Sequence, residues 1–160
     1  TARANVDGLG VSERWKRRAM EAEVMREFAL AAKYHQERLG STKPESVGDT
    51  SLPNVWVEYA EFGLRVRDPL KAEQAFREAL AVDYAHLPAL VGYGLLLLNA
   101  NRFQEAEVFL QSAVDLSSNM LTWGSLALMF EMKGLALADA AAGGSMDEAS
   151  ANGGATSHES

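Results

Sequence analysis

Apolar residues recur at spacings of three and four along most of the chain, and no stretch of useful length alternates with period two. That pattern predicts an all-α protein. Residues 1–11 carry Gly8 and Gly10 without periodicity and read as a lead-in. Ser12 is a candidate N-cap, since its hydroxyl can accept from an amide of the first turn. Over 12–39, Trp15, Ala19, Ala22, Met25, Ala29, Ala32 and Leu39 fall on one broad stripe. This is one long helix, or two with a turn near Arg26-Glu27, and Gly40 stops it. Residues 40–52 are polar and turn-rich and form a loop. Pro53 sits near the start of a helix running to about Val66. Asp68-Pro69 opens the next, to about Val82, with Asp as cap and Pro in the first turn. Pro88 opens another that ends near Ala100. Asn101 with Gln104 resembles a capping box before a helix over 102–116. Ser117-Ser118-Asn119 form a turn and cap, and a last helix runs from near Leu121 to at least Leu137. Residues 143–160, rich in Gly, Ser and Ala, read as a flexible tail.

Within this string of helices lies a 34-residue echo. Ala72, Phe76 and Ala79 recur as Ala106, Leu110 and Ala113, each 34 positions later. Such a period belongs to helix-turn-helix solenoids, whose units bury their apolar faces by stacking. These positions resemble the tetratricopeptide repeat. Begun at Pro53, its large and small positions fall on Trp56, Ala60, Ala72, Phe76 and Ala79. Begun at Leu87, they fall on Leu90, Gly94, Ala106, Leu110 and Ala113. The two small residues let the helices of one unit approach closely. The last Ala faces the first helix of the next unit. Residues 53–86 and 87–119 are therefore expected to be two such repeats. Residues 120–142, with Trp123, Ala127, Phe130 and Gly134 in a register shifted by one, are a partial repeat or capping helix. Ala32, Tyr34 and Leu39 resemble a degenerate second helix whose first helix is lost. Three or more units are normally needed for stability, so the flanking helices must cap the stack or be broken repeats.

The resemblance implies a right-handed α-α superhelix that binds other proteins along its inner face. That face would be lined by Asn54, Val57, Glu61, Leu64 and Arg65 from one repeat and Pro88, Val91, Leu95, Leu98 and Asn99 from the next. The family's two-carboxylate clamp for chaperone tails needs Lys at position 5 and Asn at position 9 of its first repeat. Val57 and Glu61 stand there, and a carboxylate at Glu61 repels such a tail. Helix 88–100 contains Leu95-Leu96-Leu97-Leu98 and is apolar nearly all round, so it requires cover on every side. Either helix 12–39 or the tail fills the groove, or a partner helix does.

Charge and chemistry narrow the function further. The net charge of −7 is uneven. Residues 1–40 hold eight Lys/Arg against six Asp/Glu, and residues 41–160 hold seven against sixteen. That excess opposes a phosphate-backbone partner, and Lys16-Arg17-Arg18 reads as a solvated helix face. No Cys is present, which removes disulfides and thiolate sites. The most apolar run, Leu87 to Leu98, is too short to span a membrane. His35, His86 and His158 lie far apart, and His86 reads as a helix-opening residue. Glu58 and Glu61 read as an acidic patch, not a catalytic pair. Trp15, Trp56 and Trp123 read as packing anchors. Met20, Met25, Met120, Met129 and Met132 read as core filler. No metal, cofactor or small-molecule substrate is expected. The chain reads as a non-catalytic scaffold within a multi-subunit assembly, with a peptide- or helix-binding adaptor as the alternative. The Ala/Gly/Ser-rich tail, the missing Cys and the segment Ala32 to Val114 are also similar to the C-terminal repeats of cilia- and flagella-associated tetratricopeptide proteins. That likeness implies an axonemal scaffold, and a chain starting at Thr1 is expected to be a fragment of a longer protein.

Overall fold

The computed structural model describes residues 10–44 and 49–151. The first nine residues of the expected lead-in and residues 152–160 of the expected tail lie outside the described residues. Seven helices follow one another in the described part: α1 (Val11–Val24), α2 (Phe28–Ser41), α3 (Ser51–Arg65), α4 (Pro69–Val82), α5 (Leu87–Asn99), α6 (Phe103–Leu116) and α7 (Met120–Ala151). They pair as hairpins α1/α2, α3/α4 and α5/α6, and α7 packs on α6 and α5. The hairpins stack into a right-handed α-α superhelix.

A shared backbone device closes each hairpin. Arg26, Arg67 and Asn101 adopt left-handed φ values of 60°, 59° and 58°. One residue later, an amide reaches back to the preceding helix in each unit: Glu27 to the Ala22 carbonyl at 2.9 Å, Asp68 to Gly63 at 2.8 Å and Arg102 to Leu97 at 2.9 Å. This is a helix end with a left-handed residue and a long back-bond, and it satisfies carbonyls that would otherwise be orphaned. Asn101 thus terminates α5 and does not cap α6. The residue at the N-cap of α6 is Arg102, with no side-chain cap bond. Asp68 does cap α4, accepting from the Lys71 amide at 3.0 Å, and Pro69 sits in the first turn.

The small positions are where the helices of each hairpin meet. Ala60, Ala72 and Ala106 are fully buried, and Gly94 is buried too. A Cβ added at Gly94 would lie 2.5 Å from Leu110 Cδ2, so glycine leaves the room Leu110 occupies. The core centres on Phe62, Phe76, Leu97, Leu98, Leu110 and Met129.

The first hairpin is a complete repeat, which corrects the expectation of a lost first helix. Ala19 and Ala31 are fully buried and keep the same twelve-residue spacing as Ala60 and Ala72. They precede that pair by 41 residues, not 34. The longer α2–α3 connection supplies the difference. Helix 12–39 is two helices broken at Arg26-Glu27. Ser12 lies inside α1, whose N-cap is Gly10, and its Oγ accepts from Arg38 Nε at 3.1 Å.

At the other end α7 continues past Gly134 to Ala151, through residues 143–151 where a tail was expected. Gly134 stands 33 residues after Asn101, at the place for a hairpin turn. A second helix folded back from there would put Asp139 where Ala106 is buried and Gly143 where Leu110 fills the core. Burying an unpaired carboxylate is costly and Gly143 offers no apolar surface in return. The helix therefore runs straight on. Met129 is fully buried, but Met20, Met25 and Met120 are exposed and are not core filler, and Trp123, expected as a packing anchor, is 55% exposed.

Candidate protein-binding groove

The first helices of the successive units, α1, α3, α5 and α7, border three depressions in a row. The first, about 450 Å³, lies between α1 and α3 and is lined by Lys16, Met20, Glu23, Val24, His35, Glu58, Glu61 and Arg65. The second, about 310 Å³, lies between α3 and α5 and takes in Val57, Glu61, Leu64, Pro88, Leu95 and Asn99. A third of about 570 Å³ is lined by Leu95, Met120, Leu121, Gly124, Ser125 and Leu128. Glu61 belongs to the first two and Leu95 to the last two, so the depressions join into one groove.

Six residues expected in the groove, Val57, Glu61, Leu64, Pro88, Leu95 and Asn99, meet in the middle depression, and Arg65 lines the first. Val91 is instead buried in a small cluster with Leu90 and Ala113. Leu98 is 1% exposed and belongs to the core. Asn54 is exposed and bonds to Thr50 Oγ1 at 3.4 Å. Residues 12–39 do not fill the groove, because they form its first wall. Sequence reasoning also missed the two ends, Met20 and Val24 in α1 and Leu121 and Leu128 in α7. All four are more than 40% exposed. The signal that could have found Met20 and Val24 is the 41-residue offset that puts α1 in register with α3, and for Leu121 and Leu128 it is the 33-residue offset from Pro88 and Leu95.

A polar seam underlies the first depression. Position 38, where the later repeats have Ala79 and Ala113, holds Arg38, and position 35, where they have Phe76 and Leu110, holds His35. Both are buried. Arg38 donates to the Glu58 carboxylate on α3, which also accepts from Lys16 Nζ at 3.1 Å. Glu23 on α1 accepts from Arg65 at 2.9 and 3.0 Å and lies 3.2 Å from His35 Nε2. The His35 ring rests on Phe62 at 4.8 Å. Burial by itself would raise the Glu58 carboxyl, but the bonds from Arg38 and Lys16 outweigh it and hold the group below its ordinary range. Glu23 behaves likewise, with Arg65 and His35 overcoming burial. Burial lowers the His35 imidazole, Glu23 counters only in part, and Arg38 and Arg65 add to the lowering. At neutral pH the seam thus holds two carboxylates, Lys16, Arg38, Arg65 and an uncharged imidazole.

Glu58 is tied to two cations, Lys16 and Arg38. Among the described residues no group of His, Asp and Glu is placed to hold a metal ion. Among them, too, no helix is long and apolar enough to cross a membrane. What the groove offers is exposed Met20, Leu64, Leu121 and Leu128, with charged groups concentrated at the α1/α3 end.

Helical hairpins with paired small residues, stacked so that their first helices line a groove, define a tetratricopeptide-repeat domain. Solved structures agree with this fold. The Sgt2 TPR domain from Aspergillus fumigatus aligns over 93% of this chain and 87% of its own at 14% identity, with a TM-score of 0.60. The first TPR of Spaghetti (RPAP3), bound to the HSP90 peptide SRMEEVD, aligns over 77% of this chain and 93% of its own at 13% identity, with a TM-score of 0.61. The chain belongs to the family of the cilia and flagella-associated protein 70 middle TPR-like domain, whose model matches residues 15–149. That family is a middle domain, where the resemblance in sequence pointed to C-terminal repeats. The chain is 32% identical over 123 residues to human cilia- and flagella-associated protein 70, a match covering 76% of this chain and 10% of the relative. The chain therefore corresponds to about a tenth of that relative's length.

Proposed function

We propose that this domain is a non-catalytic scaffold of a ciliary or flagellar assembly and that its groove receives a segment of a neighbouring protein. The observation that carries the reading is the continuity of the groove from Met20 to Leu128 through the shared residues Glu61 and Leu95. Exposed apolar side chains along one continuous channel suit the apolar face of a helix or an extended peptide. The ciliary setting is supported by the name of the family to which residues 15–149 belong.

The partner we propose differs from the HSP90 peptide SRMEEVD that the Spaghetti domain holds. Counted from Ser12, position 5 of the first repeat is Lys16 and position 9 is Met20. Lys16 is already paired with Glu58, and Met20 offers no amide. Counted from Pro53, the same positions are Val57 and Glu61. Neither repeat presents the Lys and Asn that clamp two carboxylates, and Glu61 adds repulsion.

Affinity capture from an axonemal extract tests the proposal, comparing the wild-type chain with the groove variant Leu64→Asp. A set of ciliary proteins held by the wild type and lost by the variant is expected. Recovery of chaperones alone, or of the same proteins by both, would sink it.

A further inference from the structure

A second surface, apart from the groove, lies along the outer side of α7. At helical spacing, Trp123, Ala127, Phe130, Gly134 and Leu137 form one stripe. Trp123, Phe130 and Leu137 are 55%, 50% and 64% exposed. Beside this stripe α7 is buried through Leu126 and Met129. Such a run of large apolar side chains on a single helix marks an interaction surface.

Register says what covers it. Trp123, Ala127 and Phe130 stand 33 residues after Leu90, Gly94 and Leu97, and a further 34 separate those from Trp56, Ala60 and Gly63. In α5 the middle of these positions lies under α6, and in α3 the last of them lies under α4. Gly94 meets Leu110 and Gly63 meets Ala72 within ordinary contact or closer. Among the described residues no second helix covers this face of α7, because the chain continues straight past Gly134.

We infer that the Trp123–Phe130 face of α7 binds an amphipathic helix from outside these 160 residues that carries a small residue, a large apolar residue four positions on and a second small residue three further. This is the pattern of Ala72, Phe76 and Ala79 in α4. The large residue lies over Ala127 as Leu110 lies over Gly94. Phe130 fills the space that Gly63 and Leu97 occupy in their own hairpins. Glu131, the one charged residue between Met120 and Met132, lies at the edge of the stripe and favours a Lys or Arg at the rim of the incoming helix. The bound helix completes a fourth repeat and leaves the groove free.

The test uses the 160-residue chain and, as probe, a fluorescently labelled peptide with the sequence of residues 68–83, read by anisotropy. The expected result is saturable binding that weakens at least tenfold when Trp123→Asp or Phe130→Asp is introduced in the chain. It should weaken equally when the peptide carries Ala72→Glu, and stay unchanged with the groove variant Leu64→Asp. Both α7 positions are half exposed, so the variants keep their helicity, checked by circular dichroism. The proposal is overturned by equal binding of a scrambled peptide, or by binding that depends on Leu64 and not on Trp123. It is also overturned if light scattering shows the chain dimerising through Trp123 before peptide is added, since the face would then be covered by a second copy.

Discussion

Arg38 of α2 donates to the carboxylate of Glu58 on α3, and this bond joins the first repeat to the second through a guanidinium whose side chain is only 4% exposed. The later repeats join through small alanines at the equivalent place, Ala79 and Ala113. The first junction is packed more thinly than those that follow, and a buried ion pair takes the place of apolar contact. Removing one partner strands the other charge. Glu58→Gln is expected to cost about 2 kcal/mol in urea unfolding, moderated because Glu58 keeps partial access to solvent. Replacing both residues with Leu should cost less than the sum of the single changes, and a double-mutant cycle measures that coupling. An additive cycle would show that the pair does not bind the repeats together.

The buried His35 ties stability to pH. Its imidazole is lowered in the fold by burial, with Glu23 on α1 opposing and Arg38 on α2 and Arg65 on α3 reinforcing. The unfolded chain therefore takes up a proton first, near the ordinary value of about 6.5, and stability falls as pH drops from there towards the lower folded value. Glu23, Glu58 and Glu73 are also lowered. They add a second loss as pH falls through the carboxylate range. His35→Phe, which restores the residue type found at Phe76, should flatten the loss between pH 7 and 5. The slope that remains belongs to His86, whose imidazole burial also lowers against the pull of Asp83. Unfolding midpoints across that range, wild type against variant, check this.

The left-handed turns offer a gain in stability. Arg67 adopts a φ of 59°, a conformation that crowds any side chain and that glycine takes without penalty. Arg67→Gly is expected to stabilise by roughly 0.5–1 kcal/mol, raising Tm by about 2–4 °C. Asn101→Gly should gain less, because Asn tolerates this region. Thermal unfolding of the two variants tests the ranking.

These features also show what the sequence made legible. The second and third repeats were readable because Ala72, Phe76 and Ala79 return 34 residues later with their chemistry intact. The first was hidden because its equivalents of Phe76 and Ala79 are His35 and Arg38. Those polar residues are accommodated only by partners on other helices, Glu23 and Glu58, and a single-chain pattern cannot display such pairing. The longer α2–α3 connection moved its period to 41 as well. In the groove, Leu64 and Leu95 were legible as inner-face positions. Leu98 was not separable from Leu95, since both sit in a four-leucine run and only packing against the core decides between them.

That division leads to a further expectation. Leu98→Asp should unfold the domain, because a carboxylate would replace a side chain with 1% exposure, at a cost above roughly 3 kcal/mol. Leu64→Asp, at a position 42% exposed, should leave helicity and Tm nearly unchanged. Circular dichroism of the two variants distinguishes core from groove.

The central claim is that a protein partner lies along the groove formed by α1, α3, α5 and α7. Site-specific photocrosslinking tests it most directly, with the photoreactive group placed at position 95 in the groove or at exposed Gln111 on α6, in an axonemal extract. The account predicts a discrete partner crosslinked from position 95, abolished by Leu64→Asp, and no equivalent product from position 111. A partner captured from position 111 and not from position 95 would contradict it.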